Sequence, residues 1–271
     1  MLFEWFVSLR FLRAGKTQTL LIFVGVAFGV AVMVFVGALI DGLQANLIRQ
    51  TLSAQPHVIV RPPERDPRDA SAKTDALQAL RVEKAVQHTA TIDQWQVVEQ
   101  IVRSVPGVTA TAPTVAGSAF VSKGSISRSV ALRGVDPTTY IQIIPIDQKI
   151  RRGSFRLVGT EAVIGTELAK DLGVSVGDKL RMVSTEGRDE IVSISGVFDI
   201  GNKDLNQRWV FVSIRSAQTL LELPGSVSTI EAKVNDVFRA DWVASQAAAR
   251  TGLDADSWMK LNAQLLIALK S

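Results

Sequence analysis

Cysteine is absent from this chain of 271 residues. That excludes disulfides and thiolate metal sites, and it says little about compartment, because many extracytoplasmic bacterial domains lack the residue. Histidine is almost as scarce: His57 and His88 are the two present. One stands at an expected strand start and the other in a polar stretch. Neither has a visible nucleophile or partner base, so structural or solvated roles are expected for both. The net charge of +4 does not gather into a basic stripe, which argues against a nucleic-acid partner. Gly15-Lys16-Thr17 has the ending of a phosphate-binding loop, but Arg10 fills the position of the motif's first glycine and no strand precedes it. Asp199 and Asp204 flank Gly201-Asn202 without the spacing of a calcium loop, so a solvated turn is the plainer reading. Asp236 and Asp241 stand near a helix start, where carboxylates serve the cap and dipole. No catalytic residue, metal site or cofactor is expected, and the chain does not read as an enzyme.

The feature that is present is a long apolar run. Leu20–Ile40 comprises 21 residues without a charge. As a helix it is ~32 Å long, about the hydrocarbon thickness of a bilayer. A helix at a soluble surface shows a polar face, and this run has none. The run is too long for the apolar part of a signal peptide, and no clean cleavage site follows it. An uncleaved transmembrane helix over 19–41 is expected. Arg10, Arg13 and Lys16 precede it, whereas Asp41 follows it and Arg49 is the next cation. That asymmetry places the N-terminus in the cytoplasm and the remainder outside. Residues 1–18, with Trp5 and apolar residues at helical spacing, suit an interfacial helix. Gly25 and Gly29 form a small-xxx-small pair on which another helix can pack closely. Phe35, Val36, Leu39 and Ile40, in the outer half of the span, are candidates for acyl-chain contact, set against plain lipid or helix packing.

Beyond the span a narrow stripe, Leu43 and Leu47, continues to Ala54, and Pro56 stops it. Residues 42–56 are therefore expected to be a stalk helix with a seam that needs a partner. Residues 57–256 read as an extracytoplasmic domain. His57–Val60 suits a first strand, and 61–76, rich in proline and charge, suits a linker. Thr91 and Gln94 have capping-box spacing ahead of a helix to Val105. Strands are expected at 108–112 and 115–122, with a hairpin through Lys123-Gly124-Ser125 to 126–133, and mostly strand over 151–213. Short helices are expected at 166–172 and 216–223, and a longer one over 238–250. Residues 257–271 carry Trp258, Leu261 and Leu265 at helical spacing and match the stalk in character. They are expected to form an antiparallel return helix packed on Leu43 and Leu47, leading back to a second span.

Several strings, in order, resemble the permease subunits of ABC transporters of the lipoprotein-releasing and MacB/FtsX-like family. These are LRFLRAGKTQTLLIFVGVAFGVAVMV, Ile101-Val-Arg-Ser-Val-Pro-Gly-Val108, Leu132-Arg-Gly-Val-Asp-Pro137, Val163-Ile-Gly-Thr-Glu-Leu-Ala169, Leu172-Gly-Val-Ser-Val-Gly-Asp178 and Ser195-Gly-Val-Phe-Asp199. The string from Gly196 through Gln218 looks closer to the lipoprotein-releasing branch. The resemblance implies a membrane-anchored α+β protein: one long transmembrane and stalk helix, and a two-lobed extracytoplasmic domain with an α/β porter-like lobe and a β-rich inserted lobe. It implies the bacterial inner membrane, ATP bound by a separate ABC ATP-binding subunit, a second permease subunit, and a lipoprotein or periplasmic carrier as further partners. Movement of the stalk, rather than chemistry, would then be the work. The family has four spans; this sequence contains one, so a truncated permease is expected. MacB-type efflux of an antibiotic or peptide shares the scaffold, and a membrane-anchored binding or sensor module with no ATPase shares the layout.

Placing a charge at the centre of the run tests the span directly. Val30→Arg should disfavour membrane insertion by about 2.5–3.5 kcal/mol relative to wild type, read as the inserted fraction in a glycosylation-mapping assay.

Overall fold

The computed structural model of the protein describes residues 16–63 and 90–264. The interfacial helix expected before Lys16, most of the linker, and Leu265 fall outside the described residues. The chain forms two compact units, Met1–Thr51 and Leu52–Ser271.

The first unit is dominated by helix α1, Lys16–Ala54, 39 residues without a break. Through Leu20–Ile40 none of its apolar side chains is covered by protein. Such a surface suits lipid and not water. Helical hydrogen bonding continues past Asp41-Gly42 because both ends of that step are rich in good helix formers, and Pro56 lies just beyond the end.

The second unit is built on one sheet of ten strands among the described residues. Strand β1 (Val58–Arg61) is followed by helix α2 (Trp95–Arg103), the long β2 (Val108–Lys123), β3 (Ile126–Val135) and α3 (Pro137–Ile143). Next come β4 (Ile150–Gly153), β5 (Glu161–Gly165), α4 (Thr166–Leu172), β6 (Lys179–Ser184), β7 (Asp189–Phe198) and α5 (Lys203–Arg208). The chain continues through β8 (Trp209–Ser213), α6 (Ile214–Leu220), β9 (Thr229–Val234), α7 (Ala240–Thr251), β10 (Asp254–Ser257) and the single turn α8 (Trp258–Leu261).

Strand β2 has two jobs. Its first half, from Val108 to Thr114, pairs with β9, which pairs with β1, which pairs with β10, giving an open antiparallel end. Its second half pairs with β3 on one edge and β6 on the other. From β3 the ladder runs through β8, β5 and β7 and returns to β6, closing a ring. Closure removes the free edges that an open sheet exposes. The ring is filled from alternate positions: Ala119, Val121, Leu132, Leu180, Met182, Ile194 and Val210 are all buried.

A second apolar core lies against the other side of β8. Phe211 is its centre, with the rings of Phe198, Tyr140, Phe155 and Trp209 at 5.4, 5.6, 5.7 and 5.8 Å between centroids. These tilted and edge-to-face contacts add to the burial of each ring. The open end and the closed ring share β2 and make a single compact unit.

Four readings from the sequence need correction. The expected strands 108–112 and 115–122 are one strand; Pro113 does not interrupt it, because that stretch pairs with β9 alone and the missing N–H leaves no second ladder bond unmade. The capping box is not formed: Thr91 Oγ1 donates to Asp93, Gln94 caps α2 without its side chain, and Ile92 bridges Val227. Helix α5, which was not expected, follows the turn at 199–202, with the Asn202 side chain accepting from the Leu205 N–H at 3.1 Å. Residues 254–257, not expected as a strand, pair with β1, and the helix expected from 257 starts at Trp258 with Ser257 as its cap.

Two substitutions test this core. Phe211→Ala should cost about 3–5 kcal/mol in denaturant unfolding, since it empties the centre of the aromatic cluster. A methyl group added at Gly165 would collide with the backbone of Asn206, so Gly165→Ala should cost about 1–3 kcal/mol in the same measurement.

Candidate functional site

Chain entry and chain exit meet at one place in the second unit. Helix α1 ends at Ala54, Gln55 and Pro56 follow, and His57 is already buried. The His57 N–H donates to Ala232 O at 3.0 Å, and its carbonyl accepts from the Trp258 N–H at 2.9 Å. Gln55 Oε1 accepts from the Asn262 amide at 3.2 Å, joining the segment after the helix to the segment after α8. The Ser257 hydroxyl caps α8 through the Lys260 N–H and donates to Asp241. Asp256, almost fully buried, is held by Arg61 at 2.9 Å and Lys260 at 2.6 Å.

Trp258 corrects an expectation. It is 1% exposed, with its indole N–H donating to Val237 O at 2.7 Å, and it packs inside the domain. Its indole is thus spent on the domain's interior, where an open stalk face was expected. Its helical spacing with Leu261 was real for a single turn, but the residues on its N-terminal side are a strand. Leu261 is half exposed, and Leu265 lies outside the described residues. Leu43 and Leu47 lie on α1, and their side-chain surroundings are outside what is described. Gly25 and Gly29 face open space, and Phe35, Val36, Leu39 and Ile40 are exposed along the span.

Beneath this junction lies a charged pair that the sequence reading passed over. Arg133 on β3 forms an ion pair with Glu231 on β9, with side-chain exposures of 15% and 3%. The Arg133 guanidinium also lies 4.6 Å from the centroid of Trp209 and 5.7 Å from that of Tyr140. Burial works against the guanidinium's charge, but Glu231 and Tyr140 outweigh it, and Arg133 is held protonated more firmly than usual. Burial pushes the Tyr140 phenol well above its ordinary range; Arg133 opposes that shift and Glu231 adds to it. A cleft of about 240 Å³ separates the pair from the junction, lined by Gln55, Pro56, Ile59, Arg133, Trp209, Glu231, Leu261 and Asn262. The signal in the sequence was a charge at Glu231 between Ile230 and Ala232, in a strand that is buried on both faces.

His57 is structural. Its Nδ1 lies 3.2 Å from both the nitrogen and the oxygen of Val234. Burial lowers its pKa below the ordinary 6.5, the Val234 hydrogen bond opposes that, and Lys233 adds to it. Asp199 accepts from the Gly201 N–H at 3.0 Å and the Asn206 amide at 2.8 Å and pairs with Arg151, which fixes the turn before α5. The Gly201 hydrogen bond, foremost among these contacts, holds the Asp199 carboxyl below the usual carboxylate range. No group of three or more metal-ligating side chains occurs among the described residues.

One helix long and apolar enough to cross a membrane, leading into a mixed-sheet domain with a closed strand ring, defines the class of module. The sequence profile of the MacB-like periplasmic core domain matches residues 19–250, and the chain belongs to that family. Among curated proteins, it is 25% identical to the lipoprotein-releasing system transmembrane protein LolC of Xylella fastidiosa, over 97% of this chain and 62% of that protein. It is 30% identical to LolC of Haemophilus influenzae, over 67% of this chain and 40% of that protein. The chain thus spans less than two thirds of the length of either relative. Among solved structures, the periplasmic region of MacB from Actinobacillus actinomycetemcomitans aligns with 81% of this chain and 95% of that one, at 10% identity and a TM-score of 0.48.

Two measurements follow from this geometry. Glu231→Ala should destabilise the protein by about 3–5 kcal/mol, because it strands a buried guanidinium, whereas Arg133→Met combined with Glu231→Leu should recover most of that loss in thermal unfolding. Burial makes His57 harder to protonate in the fold than in the unfolded chain, where its ordinary value is 6.5. Stability should therefore fall as pH is lowered from 6.5 to 5, and His57→Gln should flatten that slope in a urea-unfolding series.

Proposed function

We propose that this chain is the N-terminal part of a permease subunit of an ABC transporter that releases lipoproteins from the inner membrane. The observation that carries this reading is the match to lipoprotein-releasing LolC proteins along 97% of the chain, the apolar helix included. In this reading the N-terminus is cytoplasmic and the sheet domain periplasmic. The cations before the span and Asp41 after it support that orientation. ATP is bound and hydrolysed by a separate subunit, a second permease subunit completes the assembly, and this chain's part is mechanical. Helix α1 carries displacement from the membrane to the junction at Gln55 and Asn262. Gly25 and Gly29 offer a surface for a neighbouring membrane helix, and the outer half of the span, Phe35 to Ile40, meets acyl chains.

MacB-type efflux of an antibiotic or peptide is the second reading, favoured by the family profile itself. Substrate supply separates the two. The permease with its ATPase, reconstituted in vesicles loaded with a triacylated lipoprotein, should release that lipoprotein to a soluble acceptor when ATP is added. Leu47→Asp should reduce release at least tenfold while ATP turnover persists. ATP turnover stimulated by a macrolide or peptide, with lipoprotein left in the vesicle, would establish the efflux reading instead.

A further inference from the structure

We propose that the Arg133–Glu231 pair is the latch of a two-position joint between the chain's entry into the domain and its closed ring. The inference rests on the permease reading and adds to it the element that moves. Four buried side-chain atoms in this region have no hydrogen-bond partner: Thr114 Oγ1, Arg133 Nε, Tyr140 Oη and Glu231 Oε2. Native interiors leave few such groups, and each one costs stability. Here they are gathered on one face. In the ladder, Glu231 pairs with Ala112 and Arg133 with Ala116, so Thr114 stands between them on the same side of β2. Tyr140, on α3, packs with Ala112 against that face and lies beside the guanidinium.

The unmet groups are complementary. Arg133 Nε–H, the Tyr140 phenol and the Thr114 hydroxyl donate; Glu231 Oε2 and the two hydroxyl oxygens accept. In the proposed joint the Glu231 carboxylate and the Tyr140 and Thr114 hydroxyls turn, with the Tyr140 ring left in place, so that the same residues take two hydrogen-bonded arrangements. The adjacent cleft of about 240 Å³ gives the pair room to change. The input is direct: Ile59, which lines the cleft, is the ladder partner of Glu231, and His57 donates to Ala232, the next residue. A shift of residues 55–59 therefore moves the carboxylate. The output is Arg133, whose strand leads into the ring through β8. Gln55 and Asn262, linked by their side chains, keep entry and exit in step.

These 271 residues contribute no native cysteine, so a single introduced thiol is the one site in them to label. Ile59→Cys and, separately, half-exposed Leu261→Cys are placed in the full-length permease with its ATPase and labelled with N-ethylmaleimide. Labelling of both should change at least fivefold between the nucleotide-free and the ATP-trapped complex. Combining either with Arg133→Met and Glu231→Leu, which keeps the fold and removes the latch, should reduce the change to less than twofold. Equal labelling in both states of a complex that turns over ATP would overturn the proposal, as would a full change in the latch-free variant. A nucleotide-dependent change in a complex that releases no lipoprotein would uphold the joint and refute the assigned substrate.

Discussion

The four residues of β1 anchor the chain's entry into the second unit. Val58 and Val60 are fully buried, and the strand is paired on both edges, with β9 and with β10. A strand reached two residues after a helix-terminating proline would be a loose attachment at a sheet edge. Placed inside the sheet, it cannot move without taking β9 with it. The chain also leaves beside it, because β10 is its other neighbour and the Trp258 N–H is bonded to His57. Entry and exit are thus joined at one place in the sheet.

That point rests on a polar interior. A buried ion pair is weak evidence for stability, since well-packed apolar residues of similar volume serve as well or better. Its worth here is in coupling β9 to β3, strands that belong to different ends of the sheet. The indole of Trp209 and the phenol of Tyr140 shield the guanidinium, and both rings also pack on Phe211. The aromatic core and the charged pair therefore share two side chains.

The sequence made the span legible because a charge-free run has few other physical explanations. Local signals also marked the hairpin at Gly124 and the left-handed stop of α4 at Gly173, where φ is positive. What was hidden depended on partners far along the chain. Asp254–Ser257 has no strand-like pattern; it is a strand because β1 supplies the ladder and because Arg61 and Lys260 neutralise Asp256. Trp258 read as a stalk residue because one helical turn and a long helix share the same spacing. Of the residues lining the cleft, Leu261 alone was named in advance as a site residue. Arg133 and Glu231 each look like ordinary surface charges until the ladder brings them together.

Amide hydrogen exchange on the full-length permease with its ATPase, in the nucleotide-free and ATP-trapped states, tests the central claim most directly. The account predicts that protection changes between the states in residues 55–61, 229–233 and 254–262 together, with the aromatic core around Phe211 keeping its protection. Exchange that is the same in both states across those three segments, in a complex that turns over ATP, would contradict it.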